Sequence, residues 1–248
     1  MDENEQPAVS VDDVYIQAQV TGASPSLRGV LAHPEGEGPW PGVVMLHEAF
    51  GVDDVMRRQA RRLASSGYVV LLPDLFSEGG PRRCLVATFR ALIKGQGRAF
   101  ADIEASRRHL LARPDCSGQV GVIGFCMGGG FALLAATREF DVSAPNYAAL
   151  PRDLDRTMSG ACPVVASYGG RDRMLRGAAA KLERALERAG VPHDVREYPA
   201  AGHSFLNDSE AGPGWIRPLM RVSGAGPEPE SARDAWARIE AFFAEHLR

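Results

Sequence analysis

The sequence predicts an α/β fold, a mostly parallel sheet covered by helices on both faces and entered through an antiparallel strand pair. Two observations carry this expectation. Short apolar runs of strand length alternate with segments whose apolar residues recur at helical spacing, an alternation that sets parallel strands between helical layers. The first two runs instead follow one another across a turn at Thr21–Pro25 with no helix between them, as antiparallel neighbours do.

The entry pair is expected at Val14–Val20 and Leu27–His33. Strand Val43–Leu46 follows, then helix Asp54–Ser66, where Arg57, Arg58, Arg61 and Arg62 form a solvated face beside Met56, Ala60, Leu63 and Ala64. Strand Tyr68–Leu72 leads to helices across Arg82–Ala112. Strand Gln119–Gly124 leads to helix Met127–Thr137. Strands Val142–Tyr147 and Pro163–Tyr168 precede helix Met174–Ala189, whose apolar positions Leu175, Ala178, Ala179, Leu182, Leu186 and Ala189 end at Gly190 and Pro192. Strand Asp194–Tyr198 and helix Ser231–Leu247 complete the series, with Ser231 and Asp234 as the helix start. No repeat or linker divides the chain, so one domain is expected over 11–248 behind a flexible tail at 1–10. Residues 206–230 are rich in Gly and Pro yet hold Trp215, Leu219 and Met220. Long segments of this kind are functional or disordered, so these residues are expected either to line a lid beside a site or to anchor the loop on the core.

Global properties narrow the function. A net charge of -3 gives no basic footprint for nucleic acid. No early stretch approaches the roughly 20 apolar residues of a membrane span. The acidic start Met1-Asp2-Glu3-Asn4-Glu5 is unlike a signal peptide, so a cytoplasmic location is expected. The cysteines at 84, 116, 126 and 162 form no Cys-x-x-Cys and no zinc-like pairing with histidine; no disulfide framework, metal or cofactor is expected. His33, His47, His109, His193 and His246 have no evident catalytic partner, His47 being distinguished only by its neighbour Glu48.

The chemistry concentrates in Gly121-Val122-Ile123-Gly124-Phe125-Cys126-Met127-Gly128-Gly129-Gly130. An apolar run ending in Gly-x-Cys-x-Gly-Gly before an alanine- and leucine-rich helix has the layout of a nucleophile elbow, whose sharp turn leaves no room for a Cβ two residues to either side. A lone cysteine in an apolar segment is ordinarily packing; the flanking glycines argue otherwise. The expected partners follow in order. Asp172 stands in the loop after strand Pro163–Tyr168, and His203 in the loop after strand Asp194–Tyr198. Singly, Asp172 reads as a turn or cap and His203 as a surface residue; together with Cys126, each at a strand end, they read as a triad.

His47-Glu48-Ala49-Phe50-Gly51, Pro73-Asp74-Leu75-Phe76, Gly124-Phe125-Cys126-Met127-Gly128-Gly129, Asp172 and Gly202-His203-Ser204-Phe205 together resemble the dienelactone hydrolase family, a branch of the α/β-hydrolase fold, from about Leu27 to the C-terminus. The resemblance implies a cysteine nucleophile, Cys126, completed by His203 and Asp172, with Glu48 also catalytic. It implies a gated scheme in which the resting thiol is held neutral against Glu48 until substrate moves the carboxylate and lets it take the proton. A free thiol has a pKa of about 8.5, and a nearby carboxylate disfavours the thiolate by like-charge repulsion. As a lone residue, Glu48 also reads as a solvated loop carboxylate. Backbone N–H groups of Met127 and Ala49 are the expected oxyanion donors.

The expected function is hydrolysis of a small ester, lactone or thioester through a thioester acyl-enzyme, by a monomer or small homo-oligomer. Non-hydrolytic acyl transfer or binding on the same fold is the alternative. Phe50, Phe76, Arg82 and Trp215 are the expected substrate contacts. Family members that open dienelactones hold the substrate carboxylate with two arginines; the matching positions here read Glu78 and Asn207. This points away from dienelactone itself and toward a less acidic substrate, unless Arg82 or Arg83 substitutes.

Overall fold

Val43, Val44, Met45 and Leu46 are all fully buried, which a strand manages only when both its faces are covered. Val43 and Met45 pack into one core, Val44 and Leu46 into the other, as the two-residue period of a strand requires. The computed structural model describes residues 7–17, 19–215, 217–222 and 224–247, without the side chains of residues 219, 221 and 222. Its strands are β1 Val9–Tyr15, β2 Arg28–Pro34, β3 Trp40–Leu46, β4 Val69–Pro73, β5 Cys116–Phe125, β6 Ser143–Asn146, β7 Val164–Gly169 and β8 His193–Tyr198. They form one sheet in the order β1-β2-β4-β3-β5-β6-β7-β8. The pairs β1–β2 and β2–β4 are antiparallel, and every later pair is parallel.

The helices are α1 Asp54–Ser65, α2 Pro81–Lys94, α3 Arg98–Leu111, α4 Met127–Ala135, α5 Leu154–Met158, α6 Ala178–Ala189, α7 Arg217–Val222 and α8 Pro229–His246. On one face, Met56, Ala60 and Leu63 of α1 join Trp236, Ile239 and Phe243 of α8 over Val43, Met45 and Ile123. On the other, α3 and α4 bring Phe100, Ile103, Phe131 and Ala132 against Val44, Leu46 and Val122. Each of the Val, Leu, Ile, Met and Phe side chains among these contributes roughly 1.5–3 kcal/mol when fully buried. α6 closes the β7 end with Leu182 and Leu186 against Val164 and Ala166.

The predicted architecture holds, with local corrections. The first strand is Val9–Tyr15, not Val14–Val20: Val9 and Val11 pack on one core and Val14 on the other, an alternation masked by Asp12 and Asp13. Val9 and Ser10 therefore belong to the sheet, while residues 1–6 of the expected tail lie outside the described residues. The long helical stretch 82–112 is two helices, separated where Gly95 and Gly97 take positive φ. Residues Arg173–Leu175 form a 3₁₀ turn capped by Asp172, and left-handed Gly177 delays α6 to Ala178. α8 starts earlier than Ser231, because the Glu228 side chain accepts the N–H groups of Glu230 and Ser231, with Pro229 in the first turn. Helices α5 and α7 were not anticipated.

Among the described residues, no helix is long and apolar enough to cross a membrane. Nor, among the described residues, are three or more His, Cys, Asp or Glu side chains grouped so as to hold a metal ion. Strands β3, β5, β7 and β8 run parallel, so their carboxyl ends and the loops after them share one edge of the sheet, where ligand sites of such sheets collect.

Candidate active site

Cys126 joins β5 to α4 with φ 55° and ψ -112°, a conformation an L-residue holds only where its surroundings impose it. A Cβ at Gly124 would overlap the Gly128 carbonyl, and one at Gly128 would overlap the Leu46 carbonyl of β3. The bend can therefore form only with glycine at both places. The Cys126 N–H is held by the Asn146 carbonyl of β6 at 3.2 Å, and the half-buried side chain looks into a cleft of about 720 Å³. Met127 opens α4, so its N–H is among the helix's first-turn donors without an intrahelical acceptor.

Two loops bring the partners. After β7, Asp172 accepts the Met174 N–H through Oδ1 at 3.0 Å and turns Oδ2 to His203 Nδ1 at 2.6 Å. After β8, His203 is thereby oriented by its Nδ1 on Asp172, and it lines the same cleft as Cys126, close enough for the sulfur to act on its titration. Burial alone would lower the His203 pKa, but the Asp172 hydrogen bond and the Cys126 sulfur outweigh it and raise the pKa to about 10. Burial would likewise raise Asp172, yet its bonds to His203, Met174 and Leu175 hold it below the ordinary carboxylate value.

Glu48 follows β3 and lies 3% exposed in the same cleft. Burial raises its pKa, opposed by hydrogen bonds from Ser204 and Asn207 and by the charge of His203. Asn207 Nδ2 donates to Oε2 at 3.3 Å, while Oε1 has no hydrogen-bond partner among the described residues. The two carboxylates are thus tuned in opposite directions. The hydroxyl of Tyr147 is also buried without a hydrogen-bond partner among the described residues. Burial first, then the charges of Glu48 and Cys126 and its approach to the Glu48 carboxylate, push it well above the ordinary phenol value, and its ring lies 5.1 Å from that of His203.

His47 is a structural clamp. Its Nε2 accepts the Leu75 N–H at 3.1 Å, which leaves the proton on Nδ1 to donate to the Glu48 carbonyl at 2.6 Å. Burial lowers its pKa, in keeping with a neutral ring that fixes the backbone carrying Glu48 and Ala49.

Glu48, Ala49, Phe50, Cys126, Asp172 and His203 all line the cleft, and Met220, Gly224 and Ala225 of the 206–230 segment form a further wall. Of the four expected substrate contacts only Phe50 is among them. Phe76 is fully buried, its ring 4.8 Å from that of His47. Arg82 sits exposed in the first turn of α2, and Trp215 is 81% exposed; neither lines the cleft. The side chain of Leu219 lies outside the described residues. Glu78 is engaged at the outside of the sheet, where Oε1 accepts the Ser26 N–H at 3.4 Å.

A parallel-centred sheet with a strained turn at Cys126 after β5, an aspartate after β7 and a histidine after β8 has the layout of the α/β-hydrolase fold. The family model described as "Dienelactone hydrolase family" matches residues 27–247, and the chain belongs to that family. A carboxymethylenebutenolidase from Rhodococcus opacus is 30% identical over 220 residues, 83% of this chain and 81% of that protein. One from Pseudomonas putida is 28% identical over 197 residues, 74% of this chain and 83% of that protein. Among solved structures, a dienelactone hydrolase from Anabaena variabilis superposes with TM-score 0.70 at 20% identity, covering 98% of this chain and all of that one. A dienelactone-hydrolase-like promiscuous phosphotriesterase from metagenomic libraries gives TM-score 0.77 at 20% identity, covering 97% of this chain and 100% of that one. At these identities the structural likenesses bear on the fold.

Sequence reasoning missed Tyr147, Ser204 and the clamp role of His47. Ser204 directly follows His203, and both Ser204 and Tyr147 take positive φ (59° and 37°), which no local composition announced. It also missed Arg171, Arg173 and Arg176, which line the cleft from the loop that carries Asp172.

Proposed function

We propose that this protein hydrolyses a small ester, lactone or thioester through a covalent thioester on Cys126. The observation that carries this is the strained Cys126 turn in one cleft with a histidine whose Nδ1 is 2.6 Å from a buried aspartate. The thiol proton is taken by a neighbouring base, and the sulfur attacks the substrate carbonyl carbon. The negative oxygen is received by the N–H groups of Met127 and Ala49, a donor of this kind being worth about 2.7–4 kcal/mol in the transition state. As the bond to the leaving group breaks, imidazolium of His203 protonates the departing atom. Neutral His203 then takes a proton from water, the hydroxide attacks the thioester, the acid product departs, and the thiol is restored.

Asp172 keeps His203 in the tautomer with Nδ1 protonated and steadies its positive form. Glu48 suits the gated role that the family resemblance implies. It is buried and raised in pKa, Asn207 holds Oε2, and Oε1, without a partner among the described residues, is open to be claimed by a change at the site. Turnover of short-chain p-nitrophenyl esters, thioesters and lactones, compared between the wild type, Cys126→Ala and Cys126→Ser, tests the proposal. Activity lost in Cys126→Ala is expected; activity equal to wild type on every substrate contradicts it.

A further inference from the structure

The loop that delivers Asp172 carries three arginines, Arg171, Arg173 and Arg176, into the wall of the catalytic cleft. Arg176 and Met174 also line a second groove of about 480 Å³, bounded further along by Arg152, Lys181 and Arg184. The two grooves therefore meet at Met174 and Arg176. Arg152, Arg173, Arg176, Lys181 and Arg184 make no side-chain hydrogen bond or ion pair among the described residues, and Arg171 has only a longer-range interaction with Glu228. The acidic groups in the second groove are already engaged, Asp155 by Arg188 and Asp153 as the cap of α5. α6 starts here at Ala178 with no side-chain cap, adding a first turn of N–H donors that favours an anion. A concentration of unpaired cations in a chain of net charge -3 is a local feature, and like charges held together are stabilised by a bound anion.

The direction of the reaction says which part of the substrate lies there. The leaving atom must sit beside His203, which protonates it, and the cationic loop is the loop that holds His203 through Asp172. We infer that the leaving group is polyanionic, a phosphate- or carboxylate-bearing alcohol or thiol, and that it runs from His203 over the loop 171–176 into the groove beside α6. This rests on the hydrolase reading and gives it a substrate class. The absence of arginine at positions 78 and 207 does not oppose it, since the cations come from another loop and meet the other end of the substrate. For a thioester, the acyl group passes from the leaving sulfur to the Cys126 sulfur, the departing thiolate takes its proton from His203, and water later releases the acid.

Acetyl thioesters of three thiols separate the possibilities: neutral N-acetylcysteamine, carboxylate-bearing glutathione and phosphate-bearing coenzyme A. The wild type is expected to show kcat/KM at least about tenfold higher for one of the charged pair than for the neutral thioester, falling as salt is raised. In Arg176→Gln/Lys181→Gln that preference is expected to fall at least about tenfold. Which charged thioester leads identifies phosphate or carboxylate. A wild-type preference of one or less, or a preference unchanged in the double variant, overturns the inference. Calorimetric binding of coenzyme A and of glutathione to Cys126→Ser gives a readout that needs no turnover. Binding weakened by the double substitution supports the subsite even if all three thioesters prove inert, in which case the hydrolase reading is decided separately by the ester and lactone panel. No binding of either thiol at millimolar concentration, or equal binding by the variant, removes the subsite whether or not the neutral thioester is hydrolysed.

Discussion

The elbow and the rim of the cleft are built on opposite terms. At the elbow, every backbone atom is constrained: Gly124 and Gly128 admit no Cβ, Cys126 is held at φ 55°, and β3 and β6 carbonyls close on the turn. At the rim, Arg173, Met174 and Arg176 project exposed from a short 3₁₀ turn, and the 206–230 segment supplies Met220, Gly224 and Ala225. The rigid region fixes the chemistry, which tolerates little displacement of reacting groups. The exposed region can change residues without disturbing the fold, so substrate choice is free to vary there.

Substitutions should separate the two regions, and the largest effect belongs to the elbow backbone. Gly128→Ala drives a Cβ into the Leu46 carbonyl, and we expect a loss of at least about 3 kcal/mol, read as a fall in thermal midpoint or loss of soluble protein. Asp172→Asn should lower kcat/KM about 10²–10⁴-fold, since it loses both tautomer control and the charge that steadies imidazolium. The sign of its pH effect is definite. His203 stays protonated up to a pKa of about 10 partly because of Asp172, so removing that charge lowers its pKa and moves the alkaline limb of the pH–rate profile to lower pH. Tyr147→Phe removes a buried hydroxyl with no hydrogen-bond partner among the described residues, and calorimetry should find stability unchanged or slightly raised. The smallest effects belong to Arg82→Ala and Trp215→Ala, expected within about twofold of wild-type kcat/KM because both lie outside the cleft wall and surface changes of this kind are near neutral.

What could be read in the sequence follows the same division. The alternation of strands and helices, the elbow glycines, and the order of Cys126, Asp172 and His203 at strand ends were legible because steric need and strand-end placement leave marks in local composition. The first strand was misplaced because an edge strand with no fully buried residue tolerates Asp12 and Asp13 in its middle. Phe76 looked like a substrate contact because its neighbours match a family motif, yet the fold turns its ring under His47. The Tyr147 hydroxyl and the grip of Ser204 and Asn207 on Glu48 depend on loops from β3, β6 and β8 meeting at one edge. No window of sequence holds that meeting. The arginines of 171–176 were visible as residues, but only the placement of their loop beside His203 gives them a direction.

The central claim is that Cys126 carries the acyl group, and the most direct measurement is intact-mass analysis of enzyme quenched in acid during turnover of a short-chain p-nitrophenyl ester, followed by peptide mapping. A mass increase equal to the acyl group, located on the peptide containing Cys126 and absent from Cys126→Ala, is the predicted result. An acyl group mapped to another residue, or wild-type turnover retained by Cys126→Ala, would contradict the account.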